Sequence, residues 1–289
     1  MVYQEIVFTL ALLMTHQQVA QGNFINQMRR KAKLNKIPSN GVFDKFKLNL
    51  EGGLSAGGIP KITTKTPNND QIVNPAASVS VCADIVFAND ASCSLGRNVR
   101  DDQVKLIIDI ASRFQISDIA GARFGAFSFG QYVDVQSKVD FNPGANSDTI
   151  LTGLESLRTA NMTCRTIPYR AMSMASGYFN GDDDRDDGEF KDVLIFIGDG
   201  WTSPIRTRKL SLKLADMLKK DDVDILWIKT QARNRRDEKN EIKYGGTAID
   251  VEILPIVGDV DKIFVYTQGD NQRVVNNVSE YLFKKYKCG

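Results

Sequence analysis

Histidine is nearly absent from this chain: one residue, His16, in 289. It stands beside a short apolar run, Ile6-Val7-Phe8-Thr9-Leu10-Ala11-Leu12-Leu13-Met14, which reads as the core of a secretory signal over residues 1–22, with cleavage after Ala20 or Gly22. Removal of that segment leaves a mature chain without imidazole. This excludes Ser-His-Asp and Cys-His catalysis, His-bound zinc and an imidazole pH switch. Long apolar runs are missing as well. The signal core is too short to cross a bilayer, and no other stretch approaches the roughly 18 apolar residues of a spanning helix, so no membrane insertion is expected. Neither sign of charge dominates: 37 Lys and Arg face 35 Asp and Glu, a net charge of +2, and no nucleic-acid partner is expected. Cysteine is limited to four residues, Cys82, Cys93, Cys164 and Cys288, which in a secreted chain suit two disulfides.

Charge is nevertheless uneven. Residues 23–81 carry nine basic side chains, among them Arg29, Arg30, Lys31 and Lys33, against Asp44, Glu51 and Asp70. The Gly52-Gly53 and Gly57-Gly58 pairs and Pro38, Pro60, Pro67 and Pro75 speak against a packed element there. This segment reads as a basic extension or linker, with an arm for anionic matrix polymers or a propeptide as sharper alternatives.

From residue 82 to 288 the pattern alternates. Apolar runs suited to buried parallel strands occur at 83–89, 193–197, 224–229 and 262–266. Arg123–Val135 alternates like a strand, and Gln136–Phe141 returns as its hairpin partner. Helical spacing appears at 98–114, 147–157 (capped by Ser147 or Asp148), 170–179, 206–219 and 271–286. Strands separated by helices predict an α/β domain with a doubly wound, mostly parallel sheet. The charged stretch 231–246 reads as an irregular surface loop. The acidic run Asp182 to Glu189 lacks the register of an EF-hand loop and reads as a solvated loop on the edge opposite the strand ends discussed next.

Asp90, Ser92 and Ser94 stand as D-A-S-C-S at the carboxyl end of the first strand, where ligands collect in open α/β sheets. A carboxylate and two hydroxyls at i, i+2 and i+4 suit Mg²⁺ or Mn²⁺, although the triplet alone also suits a turn that caps the next helix. A second strand, Val193 to Ile197, ends in Gly198-Asp199-Gly200, and between the two lies Thr166-Ile167-Pro168-Tyr169-Arg170-Ala171-Met172. This ordered combination resembles the metal-ion-dependent adhesion site of von Willebrand factor type A domains and integrin I domains. The resemblance covers residues 82–288 and places the coordinating positions on Asp90, Ser92, Ser94, Thr166 and Asp199. Pro168 and Tyr169 replace the family's second Thr and its Gly, and Ala91 and Cys93 replace Gly in the first loop. Thr163 is an alternative to Thr166, which alone aligns Ala171 and Met172 without a gap.

The resemblance carries further expectations. Type A domains often clip their ends together, which implies Cys82–Cys288 and leaves Cys93–Cys164 to fasten two metal-site loops, with two separate thiols as the alternative. The family implies a secreted, non-enzymatic adhesion module of the extracellular matrix. It binds a matrix protein, collagen foremost, through an acidic side chain that completes the coordination of Mg²⁺ or Mn²⁺. A single such domain with a basic extension is similar to the collagen-binding thread matrix proteins of mussel byssus. A structural matrix component with a non-functional site, and a metal-dependent hydrolase, are the alternative readings. Asn161-Met162-Thr163 and Asn277-Val278-Ser279 are glycosylation sequons, the first close to the metal-site loops.

Overall fold

The computed structural model describes residues 80–181, 183–185, 188–233 and 236–288. The signal segment and nearly all of the basic extension lie outside the described residues. The chain runs β1 (Ala83–Asp90), α1 (Arg97–Ala111), β2 (Arg123–Phe129), β3 (Val133–Val139), α2 (Ser147–Glu155), α3 (Pro168–Tyr178), β4 (Lys191–Gly198), α4 (Arg208–Lys220), β5 (Asp224–Lys229), α5 (Arg236–Tyr244), α6 (Leu254–Val257), β6 (Ile263–Val265) and α7 (Asn271–Tyr286). The six strands are ordered β3-β2-β1-β4-β5-β6, all pairs parallel except β2 with β3. The expected doubly wound, mostly parallel sheet is therefore present.

Every residue of β1 is buried, as a strand covered on both faces requires. On one face Ile85, Phe87, Ile195, Ile197 and Leu226 join Val104, Ile107 and Ile110 of α1 and Val274, Val278 and Leu282 of α7 in one apolar cluster. The alternate positions carry Phe196, which stacks on Trp227 at 4.6 Å and meets Phe129 edge-on at 5.8 Å. Because β2 and β4 flank β1 on opposite sides, the carboxyl end of β1 is the point where the chain's winding reverses.

Several boundaries differ from the sequence reading. The hairpin turns at residues 130–132, so β3 starts at Val133 rather than at Gln136. Asn146, not Ser147 or Asp148, caps α2 by accepting the Thr149 N–H at 2.9 Å. Leu210, an apolar residue of α4, is exposed. Residues 236–244, expected as irregular loop, form α5. This helix buries no residue, so it shows no apolar stripe, and it rests on Asp237 and Glu238 in its first turn and Lys243 in its last.

At the amino edge the acidic run is not merely solvated. Its Arg185 turns inward and donates to Asp84 Oδ1 (2.8 Å from Nε), to the Ala83 carbonyl at 3.0 Å and to the carbonyls of Ser117, Asp118 and Gly121 at 3.2–3.3 Å. Arg123 forks onto the same carboxylate at 3.1 and 2.5 Å. A buried charge with this many partners is satisfied, and it ties the α3–β4 loop to the sheet.

Cys82 and Cys288 form a disulfide with Cα atoms 5.0 Å apart and 206 positions apart in sequence. Cys82 N–H also donates to the Tyr286 carbonyl at 2.8 Å, so bridge and backbone close the domain at the same place. Replacing both cysteines by serine should lower unfolding free energy by about 2–5 kcal/mol, chiefly by releasing the unfolded chain, with the secondary structure retained. Urea denaturation of the double variant measures this.

Candidate functional site

The five residues singled out by the sequence all lie at the carboxyl edge of the sheet, and all are buried: Asp90 1%, Ser92 1%, Ser94 8%, Thr166 1% and Asp199 0% exposed. Asp90 ends β1, and its Oδ1 accepts the Ser92 N–H at 2.8 Å, which bends the loop back over the strand end. Ser92 and Ser94 hydroxyls lie 2.7 Å apart. Asp199 follows β4 directly and accepts the Trp201 N–H at 2.9 Å, and the Ser94 hydroxyl favours its ionised form. The β1–β4 pairing brings the two carboxylates together: a Cβ added to Gly198 would meet Asp90 Cβ at 2.7 Å and Oδ2 at 3.0 Å. Gly200, at φ +83°, has Ile253 within 2.6 Å of the place of its missing Cβ, so both glycines around Asp199 are sterically required.

Main-chain bonds stitch the loops together. Cys93 N–H donates to the Thr163 carbonyl at 2.7 Å, Thr163 N–H to the Ala91 carbonyl at 3.3 Å, and Ser203 N–H to the Thr166 carbonyl at 2.8 Å. These bonds do the fastening expected of a Cys93–Cys164 bridge. The two are free thiols instead, Cys93 half-buried and Cys164 exposed; burial first, and then Cys164, push the Cys93 thiol up. The two threonines differ in their partners. Thr163 Oγ1 accepts the Gln131 N–H at 2.6 Å and fills the space that Gly130 leaves open. Thr166 Oγ1 is buried and has no hydrogen-bond partner. Asn161 and Asn277 are both exposed, the latter within α7.

Asp90 Oδ2, Thr166 Oγ1 and Asp199 Oδ2 are three buried oxygens without hydrogen-bond partners, one from each of three loops. An unpartnered buried carboxylate oxygen is expensive, and the molecule responds by protonation. Burial, and then Asp199, push the Asp90 carboxyl up to about 8, and burial also raises Asp199. This donor set fits a small divalent cation held by hard oxygens. A different acidic group, Asp84, Asp184 and Asp192, lies at the opposite edge, but Arg123 and Arg185 already occupy Asp84, which makes it a structural cluster.

Three contributors went unseen in the sequence. Trp201 is buried against the loop and donates from Nε1 to Asp237 at 2.6 Å. Glu252, raised to about 7 by burial, accepts from Thr202 Oγ1 at 3.0 Å. Arg236, the first residue of α5, places Nη1 3.7 Å from Asp199 Oδ2. Only the position of Trp201, directly after Gly-Asp-Gly, marked any of them.

Sheet order, switch point and the three-loop site together define a domain with the von Willebrand factor type A fold. No protein-family model and no curated protein matches the chain. Solved structures do. Proximal thread matrix protein 1 from the mussel byssus is similar over 71% of this chain and 47% of its own, at 18% identity and a TM-score of 0.54. A second crystal form gives 16% identity over 70% and 48%, with a TM-score of 0.56. The same mussel protein with a zinc-occupied MIDAS motif gives 18% identity over 69% and 46%, with a TM-score of 0.52. The chain spans about half the length of these structures, and at this identity the likeness establishes the fold.

The perturbed carboxyl gives a signed expectation. Between the ordinary 3.8 and about 8 the folded state keeps a proton on Asp90 that the unfolded chain has lost. With cations chelated, stability should therefore fall as pH climbs through that window, and Asp90→Asn should flatten the slope. Urea unfolding across a pH series in EDTA reads both; an equal slope in wild type and variant would contradict the assignment.

Proposed function

We propose that this domain is a divalent-cation-dependent adhesion module of the extracellular matrix. The observation that carries the reading is the convergence of three buried, unpartnered oxygens, Asp90 Oδ2, Thr166 Oγ1 and Asp199 Oδ2, at the carboxyl edge of a type A sheet. Asp90, Ser92, Ser94, Thr166 and Asp199 would hold Mg²⁺ or Mn²⁺. When bound, the ion supplies an open coordination position for a carboxylate from a partner protein. The chain's own residues do the rest: Ser92 N–H orients Asp90, Trp201 N–H orients Asp199, and the stitched loops exclude water from the inner face.

Binding rather than catalysis is favoured because the only histidine, His16, lies in the segment read as a signal, and the carboxylates beside Ser92 and Ser94 are the same Asp90 and Asp199 that the cation would occupy. The matrix setting is supported by the mussel byssus protein whose MIDAS motif was solved with zinc. Collagen is the proposed partner and secretion the proposed route, with residues 1–22 as the signal. Glycans on Asn161 and Asn277 belong to the same reading, the first close to the site.

Three measurements test it. Asp90→Ala should abolish Mn²⁺ binding by calorimetry and cation-dependent capture on collagen, while circular dichroism stays unchanged; an unaltered isotherm would sink the site. Since Asp90 must surrender its proton, Mn²⁺ affinity should rise about tenfold per pH unit up to about pH 8 and level off above. On unglycosylated protein, Thr166→Ala should weaken Mn²⁺ binding and Thr163→Ala should leave it near wild type. The reverse ranking would move the ligand to Thr163.

A further inference from the structure

Arg236 is the only basic side chain in the described residues shown in an ion pair with Asp199, and its bonding differs from that of the structural arginines. Arg185 is 9% exposed and fully engaged by a carboxylate and four carbonyls. Arg236 is 27% exposed, lies at 3.7 Å from Asp199 Oδ2, beyond hydrogen-bond range, and among the described residues its guanidinium donates to the Trp201 carbonyl at 3.2 Å. Its positive charge acts on Asp90 and Asp199 together, favouring the ionised form of each.

Its backbone position is not accidental. Arg233 N–H donates to the Ser94 carbonyl at 2.7 Å, joining the β5–α5 loop to the Asp90–Ser94 loop. Asp237, the next residue, accepts from Trp201 Nε1 at 2.6 Å, from Lys229 Nζ at 3.2 Å and from Ala232 N–H at 3.3 Å. The first turn of α5 is thus pinned at the site. A cation in the first turn of a helix runs against the helix dipole, so the helix gains nothing from Arg236. What gains is the pair of buried carboxylates.

We infer that Arg236 is a built-in counter-cation that competes with the divalent ion for the Asp90–Asp199 pair and so sets the ion concentration at which the site loads. Resting on the proposed cation site, the inference follows from charge. Without the ion, Arg236 offsets part of the carboxylates' negative potential. With the ion seated, a monovalent cation faces a dication across a water-poor site, and their repulsion weakens ion binding. Its partial exposure and its distance from Asp199 let the guanidinium withdraw to solvent, as the engaged Arg185 cannot. Arg236 is therefore a tuning residue, separate from the ligands.

The test compares wild type with Arg236→Gln and Arg236→Lys in the full chain, by calorimetric titration with Mn²⁺ and by thermal unfolding with and without it. We expect Arg236→Gln to bind Mn²⁺ on the order of tenfold more tightly, and Arg236→Lys to stay close to wild type because the charge is kept. We also expect Arg236→Gln to unfold at lower temperature in EDTA and to regain the wild-type midpoint in saturating Mn²⁺. Equal or weaker Mn²⁺ binding by Arg236→Gln in a wild-type background that does bind would overturn this inference alone. Tightening in Arg236→Lys equal to that in Arg236→Gln would overturn it too, by showing that shape and not charge matters. Absence of Mn²⁺ binding in all three proteins would remove the cation site and this inference together, whereas binding by Arg236→Gln alone would support both.

Discussion

Two carboxylates that end neighbouring strands, buried side by side, set the terms for the rest of this domain. β1 and β4 are paired in parallel, so Asp90 and Asp199 leave the sheet at the same edge, and Gly198 lets them approach. Such a pair is denied water and, to a lesser degree, repels itself, which is why the Asp90 carboxyl is displaced so far upward. Three responses are visible in the surroundings. Backbone N–H groups of Ser92 and Trp201 fix one oxygen of each carboxylate, Arg236 supplies partial charge, and the remaining oxygens stay open together with the Thr166 hydroxyl.

The amino edge of the same strand shows the alternative solution. Asp84 is equally buried, yet two arginines and their forked hydrogen bonds satisfy it. A carboxylate closed off in this way serves stability and the anchoring of a loop. One left with an unpartnered oxygen, at a switch point and beside a second carboxylate, has the donor chemistry on which the proposed cation site rests. The contrast within a single strand is the physical basis for assigning structure to one end and binding to the other.

Loop order follows from main-chain pairing more than from covalent links. The Asp90–Ser94, Thr163–Thr166 and Asp199–Ser203 segments hold one another by N–H to carbonyl bonds, which leaves Cys93 and Cys164 as neighbouring thiols. The disulfide that does form, Cys82–Cys288, lies at the closure of the domain and not at the site. Stability and site geometry are thereby carried by separate features.

Much of this was legible in the residues. Apolar runs bounded by turns specified buried strands, 3.6-residue spacing specified α1 and α7, and D-x-S-x-S marked the carboxyl edge only in combination with the later Thr and Gly-Asp-Gly, since the triplet alone equally suits a helix-capping turn. Tertiary structure alone decided the rest. It showed that the Thr163 hydroxyl already has a partner and that the Thr166 hydroxyl has none, a difference of packing that no local pattern records. It turned Arg185 inward from an acidic run and brought Arg236 from a stretch without periodicity to the side of Asp199, over a sequence distance of 37 residues (236 minus 199). Local composition records charge and propensity, whereas which charge meets which depends on how the strands are ordered.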